Sequence, residues 1–138
     1  MKKNYRLKLD ALDILVEDVL AAFGGGVVIL KGDLAAGKTT LVKAMAKKLD
    51  YKEDVTSPTF SLQQCYGEKI FHYDIYNHGL EHFISLGMLE ELDKEGLHFV
   101  EWGDEKLADI LQNAGIDVIT IEIEKTSNDM REYTICTH

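Results

Sequence analysis

The chain has 138 residues, 46% hydrophobic and 28% charged, the proportions of an ordinary globular protein with enough length for one real core. Asp and Glu outnumber Lys and Arg by 24 to 15, a formal charge of −9 that argues against gripping nucleic acid unaided, since phosphate binding wants a broad basic face. The apolar stretch 19–30 is too short and glycine-broken to span a bilayer, and polar NYRLKLD follows the opening MKK where a signal peptide would be apolar, so the expectation is a soluble cytoplasmic domain spanning 1–138.

Residues 4–9 alternate and predict a first strand. Asp10 is placed to cap a helix over 11–23, which Gly24 to Gly26 would stop. Val27, Val28, Ile29 and Leu30 form the short apolar run of a strand covered on both faces. Immediately after it stands GDLAAGKTT, residues 32–40, in which Gly32, Gly37, Lys38 and Thr39 spell G-x-x-x-x-G-K-T, the phosphate-binding loop pattern. The next segment predicts a helix, with Leu41, Val42, Met45, Ala46 and Leu49 on one face and Lys43, Lys47 and Lys48 turned outward.

Strand, glycine-bearing loop and helix are the architecture this motif needs. The backbone of Asp33, Leu34, Ala35, Ala36 and Gly37, with the helix start at Lys38, Thr39 and Thr40, would form an anion nest. Lys38 adds a positive charge for the β- and γ-phosphates, and the Thr39 hydroxyl suits Mg²⁺. The pattern N-K-x-D that reads guanine is missing, which favours ATP over GTP by exclusion.

Residues 50–60 are polar and aperiodic and read as a loop. It holds the only proline, Pro58, flanked by Thr56, Ser57 and Thr59; a segment in this place is either a switch that senses a γ-phosphate or an ordinary surface turn. Residues 61–76 predict a hairpin turning at Gly67 and Glu68, 79–96 a helix, 97–102 a short apolar strand, and 104–115 a small helix. Two further strands follow, 116–125 and 131–138, paired through the turn at 126–129. The fold class is therefore α/β, with a mixed sheet that is parallel around the phosphate loop and antiparallel where the hairpins join it.

Two strands end on a carboxylate, Asp74 after Ile70, Phe71 and Tyr73, and Glu101 after Phe99 and Val100. A nucleotide loop that hydrolyses ATP needs such an acid for Mg²⁺ and water, and the spacing does not rank the two. Trp102 either packs the core or lies against a bound nucleotide. His78 and His82 stand four apart without a third ligand nearby and read as surface histidines. Cys65 and Cys136 fit no metal or redox spacing and suit a reducing compartment. Arg6 and Arg131 are the only arginines, too few for a nucleotide kinase, and predict slow intrinsic hydrolysis.

In order along a short chain, GDLAAGKTTLVKAMAKKL, VTSPTF, HYDIY, LGMLEEL and VEW resemble the TsaE family, the small bacterial ATPases of tRNA threonylcarbamoyladenosine synthesis, over about residues 26–103. The resemblance implies a single P-loop NTPase-like domain and Mg²⁺-dependent ATP hydrolysis coupled to a TsaB–TsaD complex. That complex carries out the transfer to N6 of adenosine 37, so tRNA would be met indirectly. By position, Lys38 would hold phosphates, Thr39 and Glu101 would ligate Mg²⁺, and Asp74 would help position metal or attacking water. Thr59 would belong to the switch-like segment, and Trp102 would lie near the nucleotide. The chain departs from the family pattern at Ala35, often glycine, and at Asn77, often arginine. Two other readings are a nucleotide-gated binding module with negligible hydrolysis and a small P-loop kinase.

Overall fold

Val27, Val28, Ile29 and Leu30 are fully buried, and the molecule is built outward from the strand they form. The computed structural model describes residues 2–32, 37–49, 63–66, 69–75, 79–102, 104–127 and 129–137. The strands are β1 (Lys2–Lys8), β2 (Gly26–Lys31), β3 (Gln63–Cys65), β4 (Ile70–Asp74), β5 (Leu97–Glu101), β6 (Val118–Lys125) and β7 (Met130–Thr137). The helices are α1 (Asp13–Ala22), α2 (Lys38–Lys48), α3 (Gly79–Ser85), α4 (Met88–Leu92) and α5 (Glu105–Asn113).

All seven strands join one sheet in the order β1-β7-β6-β2-β5-β4-β3. Its centre is parallel, with β2 between β6 and β5, and β4 beside β5. Antiparallel pairs close both sides, β3 on β4 at one and β6, β7 and β1 at the other. The mixed sheet expected from the sequence is therefore present.

Alternate residues of β2 feed two cores, as the pleat requires. Val28 and Leu30 meet Leu15, Val16 and Val19 of α1 and Leu41, Val42 and Met45 of α2. Val27 and Ile29 belong to a second cluster with Phe83 of α3, Leu92 of α4, and Leu107 and Leu111 of α5. α5 starts where a cap permits, since the Asp104 carboxylate accepts a 3.0 Å hydrogen bond from the Leu107 N–H.

Two local expectations are corrected. Asp10 lies in a 3-10 turn, Leu9–Ala11, and α1 begins only at Asp13, with Leu12 at its cap position and no side-chain cap. Burial of Leu12, Leu15 and Val16 on one side sets that start and outweighs the capping preference of an aspartate. The helix expected over 79–96 is two short ones, because Gly87 takes φ = 76° between them. The Gly87 N–H donates to the Ile84 carbonyl, closing α3, and the left-handed turn redirects the chain into α4.

Candidate functional site

β2, β5 and β4 run in parallel, so their carboxyl ends finish on one edge of the sheet, where α2 also begins. A crevice at the carboxyl ends of parallel strands is where open α/β folds bind ligands. Gly37 sits at the start of α2 with φ = 103°, a conformation that favours glycine, and the Leu41 N–H returns 3.0 Å to its carbonyl.

Lys38, the first residue of α2, is only 3% exposed although charged. Its Nζ donates to the Gly32 carbonyl at 2.5 Å and lies 3.8 Å from the centroid of the Trp102 ring. A buried ammonium needs such compensation, supplied here by a carbonyl and the negative face of an indole. Trp102 has φ = 67°, a left-handed conformation that costs a non-glycine residue on the order of 1 kcal/mol. Its backbone N–H donates to the Leu30 carbonyl at 3.2 Å, which ties it to the end of β2.

The Thr39 hydroxyl donates to Glu101 Oε2 at 3.3 Å. Glu101 is 4% exposed and also pairs through Oε2 with His72 Nε2. His72 is fully buried, and its Nδ1 lies 2.9 Å from the Tyr66 hydroxyl. Asp74, half-buried, is the register partner of Glu101 at the neighbouring strand end, so both carboxylates project from the same sheet face.

On the opposite face, His98 Nε2 is 2.7 Å from the Lys94 carbonyl and Nδ1 is 2.8 Å from the Tyr73 hydroxyl. Burial holds the His98 ring below the usual histidine pKa and pushes the Tyr73 phenol well above its own. These groups brace β4 against β5 and lie on the side of the sheet away from Glu101.

The structure thus brings Lys38, Thr39, Glu101 and Trp102 together, with Asp74 beside them in register and Thr40 exposed on the first turn of α2. Asp33, Leu34, Ala35, Ala36, Pro58, Thr59, Asn77 and His78 lie outside the described residues, and His82 is exposed on α3. His72, Tyr66 and the Gly32 carbonyl went unread in the sequence. One signal was available for His72: it stands two residues before Asp74, and so on the same face of β4 as that strand-terminal acid.

Among the described residues no cluster of three or more His, Cys, Asp and Glu gathers as for a metal. A cation here would rest on Thr39, Glu101 and oxygens brought by a ligand. Two neighbouring oxygens on an octahedral Mg²⁺ lie about 3 Å apart, so the 3.3 Å between Thr39 Oγ1 and Glu101 Oε2 fits that ion.

A buried strand leading through Gly32 and Gly37 into α2, with Lys38 and Thr39 opposite a strand-terminal acid, defines a P-loop NTPase-like α/β protein. The family model for threonylcarbamoyl adenosine biosynthesis protein TsaE matches residues 7–133. The chain belongs to the TsaE family. It is 35% identical over 114 residues to the tRNA threonylcarbamoyladenosine biosynthesis protein TsaE of Treponema pallidum, spanning 80% of this chain and 82% of that protein. The protein of the same name from Bacillus subtilis is 32% identical over 126 residues, 82% of this chain and 79% of that one. The crystal structure of Bacillus subtilis YdiB superposes with a TM-score of 0.72 at 26% identity, covering 99% of this chain and 86% of that one. Among the described residues no helix is long and apolar enough to cross a membrane.

Proposed function

We propose that the protein is a Mg²⁺-dependent ATPase that supports N6-threonylcarbamoylation of adenosine 37 in tRNA. It works with the TsaB–TsaD complex and leaves the transfer to that complex. One observation carries the ATP reading: a buried lysine at the amino end of α2 stands beside a hydroxyl–carboxylate pair spaced for a divalent cation. Lys38 holds phosphate oxygens once they replace the Gly32 carbonyl as its partner, and the start of α2 supplies N–H donors for the same anion. When bound, Mg²⁺ neutralises phosphate charge. Thr39 and Glu101 hold it, and Asp74 orients metal or attacking water from the adjoining strand end. The TsaE relatives, named for tRNA threonylcarbamoyladenosine biosynthesis, supply the pathway.

The positions of the two arginines support dependence on a partner. Arg6 pairs with Glu132 at 3.2 Å, and Arg131 donates to the Ser127 and Met130 carbonyls, both on the β1 and β7 side of the sheet. Phosphoryl transfer gains a large rate factor from an arginine at the transferring group. This chain therefore hydrolyses ATP slowly alone and faster with company.

The test is ATP hydrolysis by the purified chain, alone and with the TsaB–TsaD pair, with Lys38→Ala as control. Slow turnover that rises with the pair and vanishes in the variant is the expected result. Turnover at the variant's background, even with the pair, would overturn the reading and leave a nucleotide-gated binding module.

A further inference from the structure

Glu101 Oε2 receives two donors, and one of them comes from a side chain with no counterpart in the phosphate-loop motif. The carboxylate only accepts, so His72 Nε2 carries the hydrogen that reaches it, and Nδ1 on the other side of the ring lies 2.9 Å from the Tyr66 hydroxyl, which can donate or accept. A hydrogen-bonded chain thus links Tyr66 through His72 to Glu101, where the Thr39 hydroxyl also donates at 3.3 Å. Tyr66 is 4% exposed and His72 fully buried. Two hydrogen-bonded ring nitrogens fix the imidazole on both sides, and the imidazole fixes the carboxylate's rotation. Tyr66 is itself anchored, since its N–H donates to the Ile70 carbonyl at 2.8 Å across the hairpin of β3 and β4.

We propose that His72 is a positioning residue for the cation site: held by Tyr66, it sets the Glu101 carboxylate against the Thr39 hydroxyl and so determines how tightly the site takes Mg²⁺. The proposal rests on the nucleotide–Mg²⁺ reading above and assigns the β3–β4 hairpin a part in it. Partners that orient a metal-binding group from behind typically change metal affinity 10–100-fold when removed.

The experiment compares binding of a non-hydrolysable ATP analogue, by calorimetry, with Mg²⁺ and with EDTA, in the full chain and in His72→Leu, His72→Gln and Tyr66→Phe. Mn²⁺ binding in the presence of the analogue, followed by electron paramagnetic resonance, gives a second readout that needs no turnover. His72→Leu should lose about tenfold or more of the Mg²⁺-dependent gain in affinity while binding in EDTA stays within about twofold. His72→Gln, whose amide can donate from near the Nε2 position, should recover most of it. A His72→Leu protein with the wild-type Mg²⁺ response would overturn the proposal alone. Wild-type binding that ignores Mg²⁺ would overturn the metal reading and the proposal with it. Should His72→Leu not fold, Tyr66→Phe, which removes one hydroxyl and little volume, carries the test, and an unchanged Mg²⁺ response there overturns the proposal.

Discussion

The ammonium of Lys38 rests 3.8 Å from the centre of the Trp102 ring while donating to the Gly32 carbonyl. Both contacts are ones that a phosphate would replace, because a charge-assisted bond to an anion is stronger than either. Trp102 is the only tryptophan, so the indole emission comes from this ring and is sensitive to the Lys38 contact. Titration with ATP should change the emission as the cation leaves the ring. Lys38→Met should abolish the nucleotide-induced change and weaken ATP binding at least about tenfold, the loss of one hydrogen bond to a charged group. An emission that responds equally in Lys38→Met would refute the displacement.

Glu101 and Asp74 are neighbours in register, yet their surroundings differ. Glu101 is buried and in contact with Thr39, whereas Asp74 is half-buried at the strand end. Glu101→Ala should therefore remove most of the Mg²⁺ dependence of ATP binding. Asp74→Ala should spare that dependence and lower turnover instead, by roughly 10²-fold or more if the residue orients water. ATP affinities measured across Mg²⁺ concentrations, beside single-turnover rates, separate the two. Equal and small losses in both variants would remove the metal assignment.

The parallel centre and the carboxyl-end site were legible because they rest on short-range signals. Val27 to Leu30 read as a buried strand because a four-residue apolar run is bounded by glycines, and Gly32, Gly37, Lys38 and Thr39 match the phosphate-loop spacing between such a strand and a helix. Glu101 and Asp74 could be named but not ranked, since their difference lies in what packs around them. His72, Tyr66 and the Gly32 carbonyl stayed hidden for the same reason: they join the site through pairing of β4 with β5 and through side-chain contacts with Lys38 and Glu101. Asp10 misled because local capping preference lost to burial of Leu12, and the helix over 79–96 misled because its apolar spacing runs straight across Gly87.

Gly87 offers a direct check on that break. An alanine there must hold φ near the 76° of the turn, which costs about 1 kcal/mol for an L side chain, although no neighbouring atom lies close enough to clash. Gly87→Ala should lower folding stability by about that amount in urea denaturation, with an unchanged slope. Gly87→Asn should lower it less, because asparagine tolerates the left-handed region. A stabilising effect of alanine would mean that α3 and α4 form one continuous helix.

The His98 ring gives the fold a pH dependence of predictable sign. The Lys94 carbonyl only accepts, so Nε2 carries a hydrogen, and the Nδ1 lone pair takes the Tyr73 hydroxyl hydrogen; Gln63 Nε2 donates in turn to the Tyr73 oxygen at 3.1 Å. Burial keeps the His98 pKa below its ordinary value, with the Lys94 carbonyl and the Glu91 charge opposing only in part. The unfolded chain therefore takes up a proton near pH 6.5 that the folded chain still refuses. This contribution is complete above pH 6.5 or so and is lost as pH falls toward the lower folded value, at no more than about 1.4 kcal/mol per pH unit for one proton. Urea denaturation at pH 8.0 and at pH 5.5 should show a smaller acid-side loss in His98→Gln than in the wild type, even if the variant is less stable at pH 8.0. Equal acid-side losses in the two proteins would mean that the ring protonates as readily in the fold as outside it.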